Sequence, residues 1–252
     1  MIKIAVILAA GLGSRLQDTF SEKPKGLFPI EGIPLVERSI RQLQAHNIER
    51  VILVTGYMAH CYEALASRFS GVETVHNPYF ADSGSFYSLY CARHAIDQPF
   101  LLLESDLIYE DRALRVLLET NSADSILISG TTHSNDEVYI EAHDNCLKRM
   151  SKRKADLTHS VGEFVGICKL SLDLLNTMVN AATETFAIEQ NKHVSYEEDA
   201  LTTVAQYRRI PLCKVNDLLW SEIDNADHVE RVLNHVWPRI HAIETNTKDK
   251  QL

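Results

Sequence analysis

The chain has 252 residues, 45% hydrophobic and 23% charged, with a formal net charge of −9. That composition belongs to a globular enzyme with a large core and excludes the disordered and fibrous classes. No Lys/Arg-rich run is present to neutralise a phosphate backbone, so nucleic acid is not expected as a partner, and an anionic substrate must be met by a few placed cations or a metal.

Ile2 to Leu8 is a continuous apolar run, as a strand covered on both faces requires. It is too short to span a bilayer and passes straight into Gly-rich turn chemistry, so neither membrane insertion nor a signal peptide is expected. Helical spacing follows over Leu35–His46 and Ala59–Phe69, with short strand-like runs at Val51–Thr55 and Val72–Val75. Phe100–Leu103 reads as a third buried strand, Arg112–Glu119 as a helix and Ser125–Ser129 as a strand. From about 131 to 161 polar residues dominate, and the alternation at Val138-Tyr139-Ile140 predicts a β-ribbon or flap laid beside the main sheet. Phe164–Leu170 returns to strand character. Ser171–Ala182 reads as a helix capped by Ser171, and Tyr196–Tyr207 as another. Leu212–Val215 and Leu218–Ile223 look like a closing pair of strands, Asp227–Val236 like a last helix, and the polar tail after Ile240 like a frayed end. Strands alternating with helices predict an α/β chain with a mixed, mainly parallel sheet, organised as one domain over residues 1–252. Ligands of such sheets bind at the carboxyl ends of the strands.

Two chemically distinctive segments fall at such ends. The first is Leu8-Ala9-Ala10-Gly11-Leu12-Gly13-Ser14-Arg15-Leu16, followed by Lys23-Pro24-Lys25. Small residues and glycines let backbone N–H groups approach phosphate oxygens, and Arg15 and Lys25 add charge. It is neither a Walker loop, which would end in Gly-Lys-Ser/Thr, nor the dinucleotide fingerprint, because Leu16 takes the third glycine's place. The second is the acidic cluster Glu104-Ser105-Asp106 after the third strand. Five scattered cysteines (Cys61, Cys91, Cys146, Cys168, Cys213) without a Cys-x-x-Cys pair fit a reducing, cytoplasmic setting. The eleven histidines have no metal-ligand spacing, and His228 and His235 are assigned to surface or packing.

The Ala-Ala-Gly-x-Gly-x-Arg…Pro-Lys arrangement resembles the signature of the sugar-phosphate and cholinephosphate nucleotidyltransferases. The resemblance implies a Rossmann-like nucleotidyltransferase fold and Mg²⁺ as cofactor. It also implies a loop from Leu8, Ala9, Ala10, Gly11, Gly13 and Ser14 around the triphosphate. Lys25 would then sit on the α-phosphate and Arg15 on the outer phosphates, both in catalytic roles. It makes Asp106 one metal ligand and Asp224, in Trp220-Ser221-Glu222-Ile223-Asp224, the other; taken alone, Asp224-Asn225 reads as a turn into the last helix.

Asp82-Ser83-Gly84-Ser85-Phe86-Tyr87-Ser88-Leu89-Tyr90 is similar to the cytosine-pocket segment of the cholinephosphate subgroup, which places Gly84 and Ser85 at the nucleotide and leaves the aromatics to packing. Where that subgroup carries a tryptophan to cage a quaternary ammonium, this chain has Val138 and Glu197. Acids in these stretches suit a primary ammonium, so Asp136, Glu137, Tyr139 and Glu197 are the expected acceptor-binding residues. The resemblance is strongest to the 2-aminoethylphosphonate cytidylyltransferases, with CTP and a small phosphonate or phosphate acceptor as the expected partners. The alternatives are a phosphocholine or phosphoethanolamine cytidylyltransferase, a hexose-1-phosphate nucleotidyltransferase, and, outside enzymes, a silent nucleotide sensor. The oligomeric state is not set by the sequence.

Overall fold

Ile4–Ala9 (β1) is buried at every position, because it is the middle of a sheet with a hydrophobic layer on each face. Ile4, Val6 and Leu8 enter one core and Ala5, Ile7 and Ala9 the other, the alternation a pleated strand imposes. The computed structural model describes residues 1–13, 23–186 and 196–249.

After β1 come β2 (Pro29–Ile30), β3 (Ile33–Pro34), α1 (Leu35–Ala45), β4 (Arg50–Thr55), α2 (Ala59–Ala66), β5 (Val72–His76) and α3 (Ser85–Ala92). The middle of the chain forms β6 (Phe100–Glu104), β7 (Leu107–Tyr109), α4 (Arg112–Glu119), β8 (Ser125–Ser129), β9 (Tyr139–His143), β10 (Cys146–Ser151) and β11 (Gly162–Leu170). The remainder forms α5 (Leu172–Phe186), α6 (Glu197–Val204), β12 (Leu212–Val215), β13 (Trp220–Glu222), α7 (Ala226–Arg231) and α8 (Trp237–Asp249), the last two joined by a π-helical turn at Val232–Val236.

β1 pairs in parallel with β4 and β6, β4 with β5, and β8 with β12, whereas β11 runs antiparallel to both β6 and β8. This is the mixed, mainly parallel sheet that the alternation predicts. α1 covers one face through Val36, Ile40 and Leu43, and α2 joins it through Tyr62 and Leu65. α3 covers the other through Phe86 and Leu89, which are fully buried, as the packing reading of those aromatic and aliphatic positions requires. Ser171 caps α5 as expected, its hydroxyl accepting from Leu174 N–H at 3.1 Å. None of the described helices is long and apolar enough to cross a membrane.

Three expectations are corrected. The 131–161 ribbon does not lie beside the sheet but is hydrogen-bonded into it, because β9 takes up β11 (Gly162↔Ile140, Glu163↔Tyr139) beyond the point where β6 ends. Its turn is Asp144-Asn145, both in left-handed backbone (φ 47° and 56°), the conformation that lets a two-residue hairpin follow the strand twist. Leu212–Val215 and Leu218–Ile223 do not pair with each other. β12 extends the main sheet at β8, and β13 pairs antiparallel with β7, so each satisfies a different open edge. The segment after Ile240 continues as helix to Asp249, since Trp237 and Ile240 anchor α8 against Ile30 and Leu35 and each added residue then gains a hydrogen bond.

Candidate active site

The carboxyl ends of β1 and β6 open into a cleft of about 340 Å³ closed by α6, the end of β10 and the β7–β13 ribbon. Leu8, near the end of β1, and Ala10, Gly11 and Leu12, which follow it, line the cleft. Ala9 points away into the core, as the alternation requires. Gly13 has φ +59° and packs on the stem of Lys25, where a Cβ would lie 3.4 Å from the Lys25 Cβ and Cγ. Ser14 and Arg15 lie outside the described residues.

Lys25 is brought to the cleft by a short 3₁₀ turn, Lys25–Leu27, and the next residue has no room for a side chain. A Cβ on Gly26 would stand 2.6 Å from the Tyr62 hydroxyl, 2.9 Å from Val36 Cγ2 and 3.0 Å from Ser105 Cβ. The Lys25 ammonium bridges the two expected metal ligands, contacting Asp106 Oδ2 and lying 2.7 Å from Asp224 Oδ1. The ribbon explains how residues so far apart meet. Glu222 is in register with Leu107, and Ile223 N–H donates to the Asp106 carbonyl at 2.9 Å, so Asp106 and Asp224 emerge at the same end of β7–β13. Burial alone would lower the Lys25 pKa, but the charges of Asp106 and then Asp224 outweigh it and raise it.

On the next wall, Ser83, Gly84, Ser85 and Ser88 line the cleft. Asn77, fully buried, fixes this segment by donating to Ser83 Oγ at 3.0 Å and Ser88 Oγ at 3.1 Å, a support the sequence reading did not single out. Ser85 donates its hydroxyl to Glu197, tying this segment to α6.

Of the four acceptor candidates, Glu197 lines the cleft and the other three do not. Val138 faces inward, so its neighbours Glu137 and Tyr139 project to the opposite side, where the Tyr139 hydroxyl donates to Glu137 Oε2 at 3.2 Å. Asp136 stands behind the wall, paired at 3.0 Å with Lys152, which does line it. Both positions where the choline subgroup would carry tryptophan, Val138 and Glu197, therefore border the cleft. The protein's two tryptophans are elsewhere: Trp220 donates to Ser129 Oγ at 2.9 Å, and Trp237 stacks under Arg38.

Glu104, Glu198 and Glu222 join Glu197 around the same space, flanked by Asp106 and Asp224, against two lining cations among the described residues, Lys25 and Lys152. Burial, then the charge of Glu197, raises the Glu104 carboxyl well above its usual range. Burial and Glu197 push Glu198 to about 8. Burial and Asp106 push Glu222 to about 8. Glu104 and Glu222 flank the chosen metal ligands by two residues, and no sequence pattern separates the two kinds of acid.

Asp106 and Asp224 carry the hard oxygen donors that Mg²⁺ prefers, so the residues present fit a divalent cation. The ligand atoms of Glu222, Asp224 and His228 also lie within 4.8 Å of one another. However, both His228 ring nitrogens are already hydrogen-bonded to backbone groups, so the fit rests on the carboxylates.

A Rossmann-like sheet with a glycine-containing loop, a lysine and two convergent carboxylates at its carboxyl edge defines a nucleotidyltransferase class of site. The chain belongs to the MobA-like NTP transferase domain family, whose sequence model matches residues 5–164. It is 32% identical over 107 residues to the choline-phosphate cytidylyltransferase of Streptococcus pneumoniae, covering 42% of this chain and 46% of that protein. It is also 32% identical over 108 residues to the 2-aminoethylphosphonate cytidylyltransferase of Lancefieldella rimae, covering 42% and 44%. The chain thus spans less than half the length of either curated relative. Its fold is similar to that of the inositol-1-phosphate CTP transferase from T. maritima, with a TM-score of 0.79 at 18% identity over 95% of this chain and 96% of that one.

Proposed function

We propose that the chain is a Mg²⁺-dependent cytidylyltransferase that joins CMP from CTP to 2-aminoethylphosphonate and releases pyrophosphate. One observation carries the acceptor choice: Glu104, Glu197, Glu198 and Glu222 crowd one end of the cleft, and no tryptophan stands with them. A primary ammonium offers these carboxyls charge-assisted hydrogen bonds, whereas a trimethylammonium offers no N–H and would leave them unpaired. Lys152, which lines that end, would meet the phosphonate.

In the reaction a phosphonate oxygen attacks the α-phosphorus of CTP, forming one P–O bond as the bond to the β-phosphate oxygen breaks and pyrophosphate leaves. Lys25 neutralises charge that builds on the α-phosphate oxygens, and the backbone from Ala10 to Gly13 positions the phosphates. Asp106 and Asp224 would hold Mg²⁺, whose contribution is to offset charge on the triphosphate and leaving group. Arg15 is assigned to the outer phosphates from the sequence motif. A second reading is favoured by Phe80 and Tyr196, whose residues border the same cleft and whose rings suit a quaternary ammonium: phosphocholine as acceptor.

A competition assay with saturating CTP and 2-aminoethylphosphonate, phosphoethanolamine and phosphocholine tests the choice. The expected result is 2-aminoethylphosphonate ahead of phosphocholine by at least about tenfold in kcat/KM, with phosphoethanolamine between. Phosphocholine in first place would replace this reading with the second. Equal turnover of UTP and CTP would remove the cytidylyl assignment.

A further inference from the structure

The imidazole of His228 is fully enclosed, 2% exposed, and both its nitrogens are engaged. Asp224 N–H donates to Nδ1 at 3.3 Å, and Nε2 lies 3.1 Å from the Ser134 carbonyl oxygen. A carbonyl oxygen only accepts, so Nε2 carries the proton and Nδ1 is bare, the tautomer that the Asp224 N–H also needs. The two contacts agree on one neutral ring. Asn225 caps α7 by accepting the backbone N–H of His228 at 2.9 Å, which fixes the ring's point of attachment.

The two contacts reach different walls of the cleft. Asp224 stands beside Lys25 on the triphosphate side. Ser134 belongs to the connection from β8 to β9, which passes through left-handed backbone at His133 and Asn135 (φ 58° and 69°). That connection then delivers Asp136 to Lys152, and Val138 to the cleft on the acceptor side. Arg231, one helical turn on from His228, donates to the Thr132 carbonyl at 3.3 Å and holds the same connection.

We propose that His228 is a positioning residue that clamps Asp224 to the Ser134–Val138 wall and so sets the distance between the metal-binding and acceptor ends of the cleft. The assignment rests on the nucleotidyltransferase reading of that cleft. A leucine at 228 would withdraw the acceptor from the Asp224 N–H and the donor from the half-buried Ser134 carbonyl and loosen the acceptor wall, whereas a glutamine offers one acceptor and one donor in their place.

Two measurements test this. In wild-type protein, ¹⁵N spectra of the imidazoles, with His228 assigned by its loss in His228→Gln, should show a neutral ring protonated at Nε2; a ring protonated at Nδ1 overturns the clamp. Steady-state kinetics of His228→Leu should show acceptor KM raised and kcat lowered by about tenfold each, with CTP KM within about threefold, and His228→Gln should recover most of both. Equal losses in the two variants, or a loss confined to CTP KM, overturns the proposal as well. If His228→Leu does not fold, the spectrum and the glutamine variant decide. Failure of the wild-type enzyme to use any acceptor would instead remove the functional reading, a result the tautomer does not depend on.

Discussion

Replacing Lys25 by alanine perturbs stability and turnover together, and both changes follow from its two carboxylate partners. Asp106 and Asp224 are only 3% and 7% exposed. At an effective dielectric of about 20, a unit pair at the 2.7 Å separation of Lys25 and Asp224 is worth roughly 6 kcal/mol before the cost of taking the ammonium out of water. Removing one partner of a buried pair typically destabilises by about 3–5 kcal/mol, because the remaining charge stays buried. In a chain of this size about 1 kcal/mol moves the melting midpoint by roughly 2–4 °C, so Lys25→Ala should melt on the order of 10 °C lower.

The pH dependence has a definite sign. A lysine whose folded pKa is raised above its usual 10.5 contributes stability that is complete below that value and is lost only as pH climbs through the higher one. The deficit should therefore be constant between roughly pH 6 and 9. Differential scanning fluorimetry across that range, with and without Mg²⁺, reads it, and Mg²⁺ should raise the variant's midpoint more than the wild type's. In the same preparations kcat should fall by about 100-fold or more while CTP affinity changes by less than about tenfold, since the contact strengthens as charge builds at the α-phosphorus. A midpoint within about 2 °C of wild type would refute the stability reasoning. An unchanged kcat would refute the catalytic role.

Asp106→Asn and Asp224→Asn keep side-chain shape but remove charge; each should abolish turnover at low-millimolar Mg²⁺ with an unaltered circular dichroism spectrum, and near-wild-type activity rejects that residue as a ligand. Glu198, raised from 4.5 to about 8, costs stability progressively as pH rises through that interval. Glu198→Gln should therefore stabilise by about 1–2 kcal/mol near pH 9 and by almost nothing near pH 5, and an equal gain at both would show that ionisation is not the cause. Gly26→Ala forces a methyl against Tyr62, Val36 and Ser105 and should lower stability by about 1–3 kcal/mol in chemical denaturation, a loss absent if the 25–27 turn simply shifts outward.

The parallel half of the sheet was legible because β1, β4 and β6 are buried on both faces and therefore read as unbroken apolar runs. The partners of β12 and β13 were not, because strand pairing at a distance leaves no local signal and a short intervening turn suggests a hairpin. In the site, Lys25, Asp106, Asp224, Gly84, Ser85 and Glu197, far apart in sequence, line one cleft. Glu137 and Tyr139 fall on the wrong side of a strand whose inward face is set by Val138, a one-residue register question that composition leaves open. Glu104, Glu198 and Glu222 differ from chosen acids by one or two positions, and only the tertiary arrangement shows that they turn inward. Asn77 and His228 act through other side chains or backbone, and sequence spacing carries no sign of that.

The β7–β13 ribbon joins two strands far apart in sequence, the second of which leaves the ribosome well after the first. Before β13 emerges, β7 lacks its partner and Lys25 faces one carboxylate instead of two. A nascent chain can thus assemble the loop, the lysine and most of the sheet while its charge constellation is still incomplete. A frameshift or premature stop before Asp224 would leave a product with the loop, Lys25 and Asp106 but without the second acid. Residues 5–164, which the family's sequence model matches, hold Asp106 but not Asp224. The matched stretch thus carries the lysine and the first acid, while the second acid of the Lys25 bridge arrives only with the ribbon that closes later.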